Sequence, residues 1–180
     1  TNPYTPLELA GRSIYVKEGC YVCHSQQIRP LKEEVLRYGQ PSTVGESMYD
    51  RPYQWGSKRT GPDLARAGKK YPDLWHYRHM IDPRSVTPKS IMPSYLWLAT
   101  KNTDFISLRK ELSVMKMLGV PYSDETVANG DMMAEKQAKE IATALEKDGA
   151  PSGLEKKEIV ALIAYIQSLG QKSMQNSGVK

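Results

Sequence analysis

Cys20-Tyr21-Val22-Cys23-His24 is the stretch on which the reading of this chain turns, and it holds both cysteines of the 180-residue sequence. A C-x-x-C-H run is the attachment pattern of a c-type haem. Two thiols at this spacing can add to the two vinyl groups on one edge of the porphyrin, and the adjoining histidine then lies under the ring as proximal iron ligand. Other uses of C-x-x-C find less support. A zinc ribbon needs a second ligand pair, and only His76 and His79 remain, with no further cysteine. A thioredoxin-like redox pair follows a strand in a βαβ unit, whereas the residues before Cys20 have helical spacing. An incidental thiol pair or a structural disulfide is the plain alternative.

Working outward, Thr5-Pro6-Leu7-Glu8 has the ingredients of a helix start: Thr5 as N-cap, Pro6 at the first helical position and Glu8 closing a capping box. Leu7, Gly11, Ile14 and Tyr15 share one side of that helix, which stops at Gly19. Ser152-Gly153-Leu154-Glu155 reads as a second capping box. It opens a helix with Ile159, Leu162, Ile163, Ile166 and Leu169 at helical spacing, closed by Gly170. Between these ends, Asp73 to Ile81 reads as a short helix cut off by Asp82-Pro83. Asp104 caps a stretch with Phe105, Leu108, Leu112 and Met115 on one face, ended by Gly119 and Pro121. A further helix runs from about Asp131 to Lys147. Residues 40–61 and 86–100 read as ordered loops, 171–180 as a loose tail. No segment alternates like a strand, so the expected class is all-α.

One hundred and eighty residues suffice for one domain with a real core, yet the chain has a single Phe. A haem would supply much of the missing apolar interior. The net charge of +5 is unevenly spread, with nine Lys/Arg between Lys58 and Lys101 facing only Asp63, Asp73 and Asp82. No basic recognition helix or nucleic-acid motif accompanies them, so nucleic acid is not an expected partner. Haem propionates or an acidic protein partner suit this charge, as does an ordinary solvated surface. The longest apolar run, Ile159 to Ala164, is too short to span a membrane, and no signal peptide is present. Because this haem attachment takes place outside the bacterial cytoplasm, an export signal or N-terminal anchor is expected upstream of Thr1.

An iron that transfers electrons wants two strong-field axial ligands. His24 supplies one, and Met92 is the choice for the other. It lies in Ser90-Ile91-Met92-Pro93, a loop between Pro88 and Pro93 that cannot be helical. Met115, Met117, Met132 and Met133 fall on helical faces, where core filling explains them. Met80 ends a helix, and Met48 and Met174 have no supporting context. His76 and His79 stand as bis-histidine alternatives. Gly61-Pro62-Asp63-Leu64 offers a proline carbonyl that could hold the other ring nitrogen of the ligand histidine, and a plain turn is the other reading of it.

In order along the chain, Gly11-x-x-x-Tyr15, Cys20-x-x-Cys23-His24, Gly61-Pro62-x-Leu64, Met92 and Leu162-Ile163-Ala164-Tyr165-Ile166 resemble the class I cytochromes c. In that fold a glycine of the first helix packs on an aromatic of the last, here Gly11 on Tyr165. The stretches from Ser25 to Pro30, Tyr53 to Arg66 and Asp82 to Tyr95 are similar to the mono-haem cytochrome c subunit (FixO/CcoO) of cbb3-type haem–copper oxidases. The likeness is close from Leu7 to about Leu98 and looser in the last helix. Residues 29–58 and 94–153 then stand as insertions in a single cytochrome c domain.

The resemblance implies one covalent haem c on Cys20 and Cys23, with His24 and Met92 on the iron and Pro62, Arg59, Trp55 and Tyr53 in contact with the haem. Arg59, Trp55 and Tyr53 are candidates for the propionates; packing alone would equally explain the two aromatics. It also implies a relay, with no bond-making chemistry in this chain. Electrons from a donor cytochrome c would pass through this haem to haem b of the catalytic oxidase subunit. The location would be the periplasmic side of the bacterial cytoplasmic membrane, within a membrane complex. A soluble periplasmic electron shuttle is the chief alternative. The mono-haem subunit of a nitric oxide reductase shares the architecture but lacks the run from Trp55 to Leu64, and a haem peroxidase would need a second haem motif or an open sixth position.

Overall fold

Thr5 opens the first helix as its composition predicts. The Glu8 amide donates to Thr5 Oγ1 at 3.3 Å, the Thr5 amide donates to Glu8 Oε2 at 2.8 Å, and Pro6 stands at the first position of α1, Pro6–Lys17. In the computed structural model, which describes residues 1–172, six more helices follow: α2 Lys32–Tyr38, α3 Asp73–Ile81, α4 Pro83–Val86, α5 Leu108–Met117, α6 Asp124–Lys147 and α7 Glu158–Ser168. Among the described residues there is no strand, only one isolated bridge between Asn102 and Lys157. The protein is all-α. The tail expected at 171–180 lies almost wholly outside the described residues, as does Met174.

α1 crosses α7, and the crossing is close because Gly11 has no side chain. A Cβ at Gly11 would lie 1.9 Å from the Ala161 carbonyl oxygen and 2.8 Å from Tyr165 Cβ. The expected seating of Gly11 on Tyr165 is therefore present. Leu7, Leu9, Tyr15, Ile159, Leu162, Ile163 and Tyr165 are buried at this junction. Burying each such side chain stabilises the fold by about 1.5–3 kcal/mol.

α5 and α6 extend the same core. Leu108, Leu112 and Met115 of α5 and Ala134, Ala138 and Leu145 of α6 belong to it, and Arg109 pairs with Asp131 at 2.7 Å. The other long connection is tied to α1 by a buried ion pair, Arg12 Nε to Asp50 Oδ1 at 2.8 Å. Arg12 also donates to the carbonyls of Arg51 and Pro52.

Three boundaries differ from expectation. The capping box at Ser152–Glu155 does not form. Gly153 takes φ +81°, outside helical space, and α7 begins only at Glu158 after N-cap Lys157. The start of the penultimate helix also moves: α6 starts at Asp124, not near Asp131, capped by Ser123, whose hydroxyl accepts from the Thr126 amide at 3.0 Å. In the fold Gly130 is where Leu112 presses on α6, with Cδ1 only 2.1 Å from the site of a Cβ, and packing overrides propensity. Finally, α2 lies in the insertion at 29–58, where the sequence assigns no helix; only Glu34 of its residues is buried, so it shows no apolar periodicity.

Candidate haem site

The chain leaves α1 at Gly19 and enters a tight turn, Cys20–Val22, that places both thiols beside the end of the helix. The His24 amide donates to the Cys20 carbonyl at 3.0 Å, closing the pentapeptide on itself. Neither cysteine is in a disulfide, and both are partly buried. Burial pushes the Cys20 thiol up to about 12, so it is held as S–H.

His24 is seated by the segment that follows the first insertion. Its Nδ1 lies 2.7 Å from the Pro62 carbonyl oxygen. A carbonyl only accepts, so Nδ1 carries the proton and Nε2 keeps its lone pair. Burial lowers the pKa of the ring below the usual histidine value, against the opposing pull of the Pro62 carbonyl and Asp63. The neutral imidazole is the form that binds a metal. Gly61 completes the seat: a Cβ there would lie 2.2 Å from His24 Cε1 and 2.7 Å from both ring nitrogens. Gly61 N donates to the Cys23 carbonyl at 2.9 Å and Leu64 N to the Ser25 carbonyl at 2.8 Å. The two segments thus run locked together.

Asp63 is the pivot behind the loop. Its Oδ2 accepts from Ser25 Oγ at 2.5 Å and Gln27 N at 2.9 Å, and Oδ1 accepts from Ala65 N at 2.8 Å. Arg59 caps this cluster, donating from Nε to Ser25 Oγ and from Nη2 to the Gln27 carbonyl, both at 2.7 Å, and pairing with Glu34 at 2.8 Å. Arg59 thereby brings α2 to the haem loop and holds the Glu34 carboxyl well below the usual range. Asp63, Ser25 and Glu34 were not among the expected site residues. Only Asp63, inside Gly-Pro-Asp-Leu, carried a signal that could have pointed to it.

Tyr53 and Trp55 stack with ring centroids 4.5 Å apart and planes 7° from parallel, both substantially exposed. Trp55 Nε1 donates to Ser47 Oγ at 3.0 Å, and its carbonyl accepts from Gln26 N at 2.8 Å. Met92 is partly buried against the core, as are Cys20 and Tyr95. The Met92 amide donates to Ser90 Oγ at 3.2 Å, and Tyr95 N reaches the Met80 carbonyl at 2.8 Å, which closes the loop between α3 and residue 95.

These residues fit a haem. The thiols are free and adjacent to a histidine whose Nδ1 is anchored and whose Nε2 is not, and two buried imidazole nitrogens on α3, His76 Nε2 and His79 Nδ1, have no partner among the described residues. Among those residues no group of three or more His, Cys, Asp or Glu could hold a bare metal ion.

An all-α chain whose first and last helices cross on a glycine, with the cysteine pair and histidine at the end of the first, is a protein of the cytochrome c type. The family model described as cytochrome c oxidase, mono-heme subunit/FixO matches residues 1–173, and the chain belongs to that family. No curated protein is similar enough to the chain to be matched with it. Membership implies one haem and places the chain among the subunits of a cytochrome c oxidase complex. No helix among the described residues is long and apolar enough to cross a membrane.

Proposed function

We propose that this chain carries one haem c through thioether bonds to Cys20 and Cys23, with His24 and Met92 on the iron, and passes electrons from a donor cytochrome c to haem b of the catalytic subunit of a cbb3-type oxidase. The observation that carries the reading is the seat of His24 between Gly61 and the Pro62 carbonyl, directly beside the only two thiols. The haem supplies the reversible one-electron change. The residues do the rest: Cys20 and Cys23 would hold the ring, Pro62 fixes the proton on Nδ1 so that the Nε2 lone pair is left for the iron, and Met92 would add a thioether, a ligand that favours the ferrous state. Tyr53 and Trp55 form one stacked wall and are assigned to the haem edge. With Nε and Nη2 of Arg59 engaged elsewhere, a propionate contact from this residue would fall to Nη1.

Subunit docking accounts for the surface. Of the eighteen large apolar side chains exposed among the described residues, fourteen lie in residues 29–58 and 94–153, twelve of them besides Tyr53 and Trp55, and such exposure marks interaction sites. The complex would sit on the periplasmic side of the bacterial cytoplasmic membrane, with the basic stretch from Lys58 to Lys101 toward the donor or the propionates. Electron uptake should then slow as ionic strength rises.

Two measurements test the reading. Intact mass after denaturation should equal the polypeptide plus one haem; bare polypeptide from a host with haem-attachment machinery rejects covalent attachment. Met92→Ala should abolish the sulfur-to-iron charge-transfer band of the oxidised protein and lower its potential. A band that survives this change assigns the sixth ligand to another methionine.

A further inference from the structure

Met92 sits in a loop, and a loop must be held if its sulfur is to stay on an iron. α3 holds one side, where Tyr95 N donates to the Met80 carbonyl at 2.8 Å. The other side is held from α1. Past Tyr95 the chain makes a single turn, Leu96–Ala99, which buries Leu98 in the core and leaves Trp97 39% exposed. Trp97 Nε1 donates to Glu18 Oε2 at 2.9 Å, across 79 residues of sequence. Tyr95 packs edge-on against Trp97, with ring centroids 5.3 Å apart. Burial raises the Tyr95 phenol above its usual value, and Cys20, Cys23 and Glu18 add to the rise. This phenol is therefore within electrostatic reach of both thiols.

Glu18 is an odd residue for its place. It is the C-cap of α1, where the negative end of the helix dipole favours a cation over a carboxylate. Yet its side chain is only 12% exposed, and both oxygens are engaged. Oε1 lies 3.5 Å from Lys17 Nζ, which pairs with Glu158 of α7 at 2.5 Å, and Oε2 takes the indole N–H. Helix capping does not explain this carboxylate; the indole does. Glu18 stands immediately before Gly19, whose φ of 72° turns the chain into Cys20. One hydrogen bond thus joins the residue that leads into the thiols to the residue that closes the Met92 loop.

We propose that Glu18 and Trp97 form a clasp that keeps the Met92 loop closed on the thiol end of α1, with Trp97 as a positioning residue for the Met92 sulfur. This role rests on Met92 being the axial ligand. The clasp slows departure of the sulfur from the iron. A hydrogen bond to a charged acceptor is strong enough to change such a rate by about ten-fold.

The test is capture of the open state by imidazole in the oxidised, haem-loaded full chain. With imidazole in excess, its binding rate reports how often the sulfur leaves, and loss of the sulfur-to-iron charge-transfer band reports the same event. W97F keeps an aromatic ring beside Tyr95 without the N–H. E18A removes the acceptor, and E18Q keeps an acceptor oxygen without the charge. W97F and E18A are each expected to raise the rate about ten-fold, and E18Q less. The double variant W97F/E18A should exceed neither single one, because both remove the same bond. Unchanged rates in W97F and E18A, or effects that multiply in the double variant, overturn the clasp. So does a W97F effect that persists in the M92A background, where no sulfur remains to be held, since Trp97 would then govern imidazole access. Survival of the charge-transfer band in M92A removes the ligand reading instead, and so the two failures are told apart.

Discussion

Gly61→Ala is expected to leave the helices folded and to dislodge His24, the proposed iron ligand. The new methyl carbon would stand 2.2 Å from His24 Cε1, well inside contact distance, and Gly61 is held in place by its amide bond to the Cys23 carbonyl. The imidazole must therefore rotate or withdraw, and either movement breaks the 2.7 Å contact between Nδ1 and the Pro62 carbonyl. Loss of such an outer partner typically weakens a metal site about 10–100-fold. The haem-loaded variant should show a mixed-spin absorption spectrum and a low yield of haem per chain, while its far-ultraviolet circular dichroism stays at the wild-type level. A fully low-spin spectrum at normal yield would mean that the ring has room the geometry denies it. Asp63→Ala provides a graded comparison, because it removes the acceptor shared by Ser25, Gln27 and Ala65 without placing an atom against the ring.

Gly11→Ala sets two effects against each other, and the magnitudes decide between them. In an isolated helix this change is worth about 1 kcal/mol in favour of the alanine. In the folded protein the added carbon would lie 1.9 Å from the Ala161 carbonyl oxygen. That neighbour is backbone in the middle of α7, and it cannot turn aside as a side chain would. Forcing α1 and α7 apart loosens the contacts of Leu7, Tyr15, Leu162 and Tyr165, all buried. Overpacking of this kind costs about 1–3 kcal/mol and sometimes more, so the helix gain is outweighed and the variant is destabilised. Gly11→Val should fare worse, since it adds two further carbons and loses the propensity gain. Urea unfolding of haem-loaded protein should give midpoints in the order wild type, Gly11→Ala, Gly11→Val. A midpoint for Gly11→Ala at or above wild type would show that the crossing has slack.

Much of this site was legible in the chain because its chemistry is local. Thiols at C-x-x-C spacing with an adjoining histidine need only a few residues of context, and the turn from Cys20 to His24 is closed by a bond within the pentapeptide itself. The same holds for α1, whose capping box lies within four residues, and for α3, which ends where Asp82 and Pro83 forbid its continuation. Gly61-Pro62 was legible for a different reason: the resemblance gave the pair a meaning that a lone turn signal would not have carried.

What escaped the reading depended on residues distant in the chain. The start of α7 was placed too early because Ser152 and Glu155 have the spacing of a capping box, but the box requires helical backbone at Gly153, and the fold gives it φ +81°. α6 begins at Asp124, ahead of the expected start near Asp131, and Gly130 is helical there with Leu112 from α5 filling the space above it. α2 leaves Leu36 exposed and Val35 and Tyr38 half-buried, and buries Glu34, whose partner Arg59 is twenty-five residues away.

By itself the sequence determined the all-α class, the two terminal helices and the identity of the covalent and iron-binding candidates, because helical periodicity, capping and motif spacing are properties of neighbours along the chain. Only the tertiary structure decided how closely the Gly11 site meets the Ala161 carbonyl, that Gly61 makes room for the His24 ring, and that Asp63, Arg59 and Glu34 brace the loop from behind. Those roles are set chiefly by the closeness of atoms twenty-five to one hundred and fifty residues apart, and no local pattern encodes a distance of that kind.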